Sequence, residues 1–367
     1  MVRAAVYTTF NQPLEIKDDV EVAAPQAGEL KIKMAASGVC HSDVSVVDGT
    51  LLVMPPSVLG HEGAGIVEEV GAGVTDFAPG DHVVISWVPQ CGTCYFCQRG
   101  QGFLCDVGSR SMGGTMLDGT KRLRSGDIEL GQMSGTGTFC EYAVVPTIAA
   151  VKIDDDVDLK VAALIGCGVL TGVGAARNTA DIQPGDTVAV IGCGGVGLNV
   201  IQGARIAGAS QIIAVDMVDT KLKLAMDFGA TEIVNAGDGD PVEAVRKLTE
   251  DRGADVAFEV IGLQPTIEQA INMTRKGGQT VLVGVPRMDV QVTVPAFLGL
   301  ILQNKTIKGC WYGSSNVQTD VPRLVQLYKS GELKLDELIS REIDLAEVND
   351  AFEAMKRGEV ARSVIVY

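Results

Sequence analysis

Hydrophobic and polar positions change their rhythm along the chain. Over residues 1–150 apolar positions come in short runs that alternate with polar ones, as in Leu30-Lys31-Ile32-Lys33-Met34 and His82-Val83-Val84-Ile85-Ser86. A period of two predicts strands, and the turn signal Pro79-Gly80-Asp81 stands directly before the second of these. From about Thr187 to Gly284 the strands become wholly apolar (Val188–Ile191, Ile212–Val215, Val256–Phe258, Thr280–Val283). They alternate with helix-period segments such as Thr220–Phe228 and Pro241–Glu250, which predicts a parallel sheet with helices on both faces. Beyond residue 311 the pattern predicts helices over Val321–Lys329 and Leu345–Arg357 and a closing strand over Arg362–Tyr367. No apolar run approaches the roughly 18–20 residues of a membrane-spanning helix, Val294–Leu302 being among the longest. The first ten residues turn polar too soon for a signal-peptide core, so a cytoplasmic protein without a membrane partner is expected.

Charge changes the list of partners. The 367 residues include 30 basic and 46 acidic ones, a net charge of −16, so a phosphate backbone would be repelled and no nucleic-acid partner is expected. Glycine is abundant, 44 residues without a three-residue period, which implies many tight turns and close backbone approaches. Nine cysteines in a chain without an export signal point to metal binding before disulfides.

The densest chemical signal is Cys91, Cys94, Cys97 and Cys105, a C-x2-C-x2-C-x7-C spacing. Four thiolates complete a tetrahedral zinc shell and leave no position for substrate, so such a lobe (91–105) is structural. An iron–sulfur cluster or four unrelated thiols are the alternatives. A second signal is Gly192-Cys193-Gly194-Gly195-Val196-Gly197, a G-x-G-x-x-G between the strand Val188–Ile191 and the helix-forming run Leu198–Ala207. There the backbone can approach a pyrophosphate at a helix N-terminus. The next strand ends in Asp216, where an acid can bind a ribose 2′-hydroxyl; this favours NAD over NADP. A third signal is scattered: Cys40-His41-Ser42-Asp43, Gly60-His61-Glu62 and Gly166-Cys167-Gly168. Two cysteines and a histidine would make a three-ligand zinc site with its fourth position open, although spacing alone leaves each of them equally readable as a buried structural residue.

Together these motifs, with Gly114-Thr115-Met116-Leu117-Asp118-Gly119-Thr120 and Arg362, resemble the zinc-dependent medium-chain dehydrogenases of the alcohol and formaldehyde dehydrogenase type, from about Ala4 to the C-terminus. The resemblance implies a two-domain α/β fold: a β-rich GroES-like catalytic domain (1–168), a Rossmann coenzyme domain (169–311) with a doubly wound parallel sheet, and a return segment (312–367) completing the first. It implies two zinc ions per subunit, the catalytic one on Cys40, His61 and Cys167 and the structural one on the lobe cysteines. Asp43 and Glu62 match residues behind the catalytic ligands, and Ser42 matches the hydroxyl that touches the substrate oxygen. For NAD, the matching positions are His41 and Arg362 at the pyrophosphate, Gly192, Gly194, Gly195 and Gly197 in the turn, and Asp216 and Lys221 at the adenosine ribose. Thr171 and Val196 match residues against the nicotinamide.

Leu51, Trp87, Met133 and Trp311 match the lining of the substrate channel; all four are large and apolar, which suits medium-chain or aromatic primary alcohols and their aldehydes. The chain departs from several family members at Ser45, where they carry a histidine that relays the proton. The apolar segment Thr50–Pro56 lacks the acidic residues expected for a glutathione carrier, which disfavours a thiol-adduct formaldehyde dehydrogenase; Arg110 lies only near a carrier-binding position. A variant with permanently bound NAD and a non-catalytic zinc- and dinucleotide-binding scaffold are the other readings. His82 is expected to be a strand residue, and Cys140, Cys193 and Cys310 buried small apolar residues. The stretch Asp106–Thr138 is expected to be a long loop like that of dimeric members, hence a homodimer.

Overall fold

The computed structural model describes residues 1–367, which divide into two compact units, Met1–Gly168 with Asn316–Tyr367 and Val169–Ser315. In the first unit five short strands, Val2–Tyr7, Glu15–Val22, Leu123–Ser125, Ile128–Gln132 and Ser57–Val58, close into a barrel. Beside it, a mostly antiparallel sheet runs in the order Ala150–Lys152, His82–Ile85, Glu62–Val70, Glu29–Val39, Arg362–Val366 and Ile339–Ile343, with Tyr142–Pro146 pairing on Glu29–Val39. The strand Glu29–Val39 is central because three partners pair with it, one of them contributed by the return segment: Ser363 lies opposite Val39.

The second unit is a six-stranded sheet, Glu232–Asn235, Gln211–Asp216, Thr187–Ile191, Ala254–Glu259, Thr274–Leu282 and Thr306–Gly309 in spatial order, every neighbour parallel. Numbered along the chain this order is 3-2-1-4-5-6, a doubly wound sheet whose crevice opens at the carboxyl ends of the two central strands. Its apolar strands read continuously because both faces are covered; all five residues of Thr187–Ile191 are buried.

Several expectations need correction. The stretch Asp106–Thr138 is not a plain loop, because Leu123–Ser125 and Ile128–Gln132 close the barrel. Strands of three and five residues carrying Arg124 and Glu129 are too short for period-two alternation to register. A continuous helical stretch, Leu159–Thr179, is long and apolar enough to cross a membrane by length and composition, with mean hydropathy 1.8, but 83% of that window is buried inside the protein. Gly166, Gly168, Gly172 and Gly174 break up its apolar run in the sequence; in the structure they allow close packing. Leu345–Arg357 splits into a turn, Leu345–Glu347, capped by Asp344, and the helix Val348–Lys356. Cys310 is only partly buried.

Candidate active site

The central sheet delivers the scattered ligands to one place. The strand Glu29–Val39 ends immediately before Cys40, which precedes the helix His41–Val47. His61 stands just ahead of the neighbouring strand Glu62–Val70. Cys167 lies in a widened turn of π-helix, Ile165–Val169, the local distortion that often marks a functional position in a helix. One donor atom from each of Cys40, His61, Glu62 and Cys167 falls within 4.8 Å of all the others, and all four residues are buried.

Asp43 orients this group. Its Oδ2 accepts the Cys40 N–H at 2.9 Å, while Oδ1 accepts the Gly60 N–H at 3.2 Å and lies 3.0 Å from His61 Nδ1. With Nδ1 occupied, the other ring nitrogen is the one turned to the thiols, and Nε2 is buried without a hydrogen-bond partner. An orphaned imidazole nitrogen beside two sulfurs, with a Glu62 oxygen within the same 4.8 Å, is a donor set that could hold zinc. The electrostatics agree. A hydrogen bond from Cys167 holds the Cys40 thiol well below its ordinary range, while the same bond and burial hold Cys167 well above it. Burial pulls the His61 imidazole down, but Asp43 and Cys40 outweigh it and hold the ring well above 6.5. A thiolate beside a protonated ring and a protonated thiol is a charge pattern that a divalent cation resolves by displacing both protons.

Glu62 backs the group from the other side. Oε1 accepts the Gly168 N–H at 3.1 Å and lies 3.2 Å from Arg362 Nη2; Oε2 is buried without a partner. Burial pushes the Glu62 carboxyl up to about 7 even though Arg362 draws it down. Arg362, the expected pyrophosphate contact, is only 4% exposed, and its guanidinium lies against Glu62 and the Val39 carbonyl. Ser42 Oγ lies 3.8 Å from Cys40 Sγ, and Ser45 is buried on the same helix. His41 is exposed at the start of that helix.

Of the channel residues, Trp87 meets His61 edge to face, with ring centroids 6.2 Å apart. Met133 is buried in the apolar cluster of the barrel, and Leu51 packs against that cluster. Trp311 belongs to the second unit, where it is 42% exposed. Sequence reading passed over Ser37 and Thr136, whose hydroxyls meet the backbone flanking His61, and Thr138, whose hydroxyl meets that of Ser37; isolated hydroxyl residues carry no spacing signal.

The four lobe cysteines form a second cluster with all donor atoms within 4.8 Å. Cys91 and Cys97 sulfurs are 4.0 Å apart, Cys94 and Cys105 sulfurs 3.9 Å. A tetrahedron with Zn–S bonds of about 2.3 Å has edges of about 3.8 Å, so the set fits zinc. Burial opposes ionisation of Cys91, but donors from Thr93 and Cys94 bring it down to about 6; burial holds Cys97 up at about 12. Only a cation would hold all four as thiolates.

In the second unit the glycine turn is built for close approach. Gly192 has φ +97°, and a Cβ on Gly197 would stand 1.8 Å from the Gly192 carbonyl oxygen. A Cβ on Gly194 would meet nothing within 4 Å, which leaves an open cradle where the helix Gly195–Ile206 begins. Asp216 closes the turn from the next strand: Oδ2 accepts the Cys193 N–H at 2.8 Å, and Oδ1 accepts those of Met217 and Val218. Lys221 follows on the helix Asp219–Asp227. Gly172, beside Thr171, packs against the Val196 carbonyl and Asn199, so Thr171 and Val196 come from two helices in close contact.

Comparison with known proteins identifies the family. Residues 26–155 match the model of the alcohol dehydrogenase GroES-like domain, and residues 195–330 that of the zinc-binding dehydrogenases. The chain is 41% identical to the NDMA-dependent alcohol dehydrogenase of Amycolatopsis methanolica, over 100% of this chain and 98% of that one. It is 42% identical to the class-3 alcohol dehydrogenase of Drosophila melanogaster, over 100% and 97%. The crystal structure of benzyl alcohol dehydrogenase from Acinetobacter calcoaceticus is similar with a TM-score of 0.93 at 32% identity, covering 100% of this chain and 99% of that one. The chain is an oxidoreductase that belongs to the zinc-dependent medium-chain alcohol dehydrogenases.

Proposed function

We propose that the protein interconverts medium-chain or aromatic primary alcohols and their aldehydes with NAD as hydride acceptor, and that it holds two zinc ions per chain. The observation that carries this reading is the buried set Cys40, His61 and Cys167, with His61 Nε2 unpartnered. Zinc bound there would supply a Lewis acid that lowers the pKa of an alcohol, and NAD would accept the hydride. The chain's own residues do the rest. Asp43 holds the His61 ring in the tautomer that frees Nε2. Ser42 relays the substrate's hydroxyl proton, its Oγ receiving that proton as its own passes to water, since Ser45 offers no basic group near neutral pH to hold it. Trp87, edge-on to His61, excludes water and narrows the inner pocket against branched secondary alcohols. Leu51 and Met133 on the barrel, and Trp311 in the other unit, are the further apolar groups assigned to substrate. Apolar substrate surface dried there gains about 25 cal/mol per Å², whereas each unpartnered polyol hydroxyl costs a few kcal/mol.

The relative that is NDMA-dependent favours a second reading, in which NAD stays bound and an external acceptor reoxidises it in place. One kinetic panel separates the two. Benzyl alcohol and hexanol should exceed ethanol and glycerol in kcat/KM, and Trp87→Ala should change that ranking; equal efficiencies for glycerol and hexanol sink the apolar pocket. Turnover with added NAD alone supports the dissociating coenzyme. Turnover only with NDMA, with coenzyme released when the purified enzyme is denatured, supports the bound one.

Coenzyme choice rests on Asp216, whose negative charge would repel a 2′-phosphate. Asp216→Asn removes the charge and leaves one acceptor oxygen, enough for the Cys193 N–H or for the Met217 and Val218 N–H groups but not for both. The expected result is a KM for NAD raised about tenfold and a smaller NAD/NADP preference, from the loss of a charge-assisted hydrogen bond. A wild-type enzyme that uses NADP better would overturn the assignment. His41 and Arg362 are assigned to the pyrophosphate, Lys221 with Asp216 to the ribose, and Thr171 and Val196 to the nicotinamide. A homodimer is part of the same reading. It is supported by an exposed apolar face that includes Met288, Phe297, Leu298 and Ile301, just ahead of the edge strand Thr306–Gly309.

A further inference from the structure

The carbonyls of Gly60 and Glu62, the residues on either side of His61, are held by a chain of hydrogen bonds. The Gly60 carbonyl accepts two donors, the Thr138 N–H at 3.0 Å and Thr136 Oγ1 at 3.1 Å. Ser37 Oγ donates to the Glu62 carbonyl at 2.9 Å and shares a 2.6 Å hydrogen bond with Thr138 Oγ1. Ser37, Thr136 and Thr138 are all fully buried. The Thr138 carbonyl in turn accepts the Tyr367 hydroxyl at 2.5 Å, and the Tyr367 N–H is tied to the Ala35 carbonyl.

The fit is tight as well as polar. Gly60 has φ +85°, and a Cβ on it would lie 2.5 Å from the Phe139 ring and 2.6 Å from Thr138 Oγ1. A Cβ on Gly63 would lie 2.7 Å from Thr138 Cγ2. The segment Gly60–Gly63 is therefore pressed onto Thr138 and Phe139 with no slack. Asp43 holds the His61 ring at Nδ1 and the Gly60 N–H, whereas the Gly60 and Glu62 carbonyls are held by the hydroxyl network. Burial pushes the Tyr367 hydroxyl well above its ordinary range, and at neutral pH it donates to the Thr138 carbonyl.

We infer that Tyr367, Thr138 and Ser37 are positioning residues that clamp the Gly60–Glu62 backbone from behind and so hold His61 Nε2 at metal-ligand distance from Cys40 and Cys167. This rests on the zinc-site reading given above. Thr138 and Ser37 act through the Gly60 and Glu62 carbonyls that flank His61, and Tyr367 acts through Thr138. Groups bonded directly to a ligand, as Asp43 is to His61, change metal affinity by about 10–100-fold when they are lost; the clamp acts further out, so the lower end of that range is expected.

The test is the rate at which purified holoenzyme gives up metal to a chromogenic chelator, read alongside the metal content before and after. Two zinc ions in the wild type, one of them lost on His61→Ala, establish the reading first; if that fails, the site and the clamp fall together. With that in hand, Tyr367→Phe keeps the ring in place and removes only the hydroxyl, and Thr138→Val removes Oγ1 at constant shape. Both should speed release of one zinc about tenfold while the lobe zinc leaves at the wild-type rate, and Thr138→Ser should restore slow release. In cobalt-substituted enzyme the same variants should shift the visible absorption of the Cys2His site. Unchanged release in Tyr367→Phe, or equal acceleration for both zinc ions, would mean the network only stabilises the sheet and would overturn the inference. If Thr138→Val does not fold, Tyr367→Phe and Ser37→Ala decide it by the same readout.

Discussion

His61→Ala should abolish alcohol turnover while leaving NAD binding close to wild type. The imidazole is the only nitrogen in the donor set, and its Nδ1 side is committed to Asp43, so no other orientation of a neighbour can replace Nε2. Without it, a metal held by Cys40, His61 and Cys167 loses one of its ligands. Metal analysis should fall from two zinc ions to one. The fold should survive, because Asp43 keeps its two backbone donors, Cys40 N–H and Gly60 N–H, when the ring is removed. Some stability is lost even so: Asp43 is fully buried, and removing one partner of a buried carboxylate costs a few kcal/mol. The glycine turn and Asp216 lie in the other unit, and the His61 ring contacts that are lost go to Asp43 and Trp87 rather than to His41 or Arg362, so a fluorescence titration with NADH should give a nearly unchanged Kd. An alanine variant that retains wild-type kcat would refute the catalytic-zinc assignment. One that loses coenzyme affinity in proportion to activity would show that His61 acts on the fold rather than on the reaction.

How much of this was legible in the sequence follows from how local each feature is. The lobe could be read directly, since four ligands within fifteen positions leave few geometries. The parallel sheet was legible too, because strands buried on both faces read as unbroken apolar runs. The strand Thr187–Ile191, the glycine turn and Asp216 form one contiguous βαβ unit. Cys40, His61 and Cys167 are spread over more than a hundred residues, and only the resemblance to a family joined them. The ion pair between Glu62 and Arg362 spans three hundred positions and could not be read at all; it exists because Arg362–Val366 pairs with Glu29–Val39. The same pairing explains why Tyr367 reaches Thr138. The short barrel strands within 106–138 escaped detection because three to five residues with exposed charges do not establish a period. The apolar helix at 159–179 escaped because its glycines interrupt the run that hydropathy reading looks for.

Cys97→Ser should remove one zinc and unfold the lobe while leaving the catalytic metal in place. The reason is the poverty of the lobe's own core. Its helix Tyr95–Gln98 has four residues and buries none of them, Tyr95 is 63% exposed, and Leu104 is also exposed. A segment of this size cannot bury enough apolar surface to offset the entropy of ordering its chain, so metal ligation supplies the difference. Structural zinc contributes about 10–16 kcal/mol in isolated small metal-binding domains, and a serine hydroxyl is a far weaker ligand than a thiolate. The damage should spread to the unit that carries the lobe. Gln90, at its base, accepts the Val317 N–H at 3.1 Å, and a Cβ on Gly102 would collide with that same side chain. An unfolded lobe therefore exposes the seat of the helix Val317–Lys329. If about 4 kcal/mol is lost to that unit, its Tm should fall by roughly 10 °C. Limited proteolysis should cut the variant within residues 91–105, where the wild type resists, and chelation of wild-type enzyme should reproduce the pattern more slowly. Residual turnover per folded molecule should stay within a few-fold of wild type, because no lobe sulfur belongs to the Cys40, His61 and Cys167 cluster. A variant that still binds two zinc ions and resists protease would show that three cysteines suffice. A variant that keeps its Tm but loses all turnover would show that the lobe takes part in the chemistry.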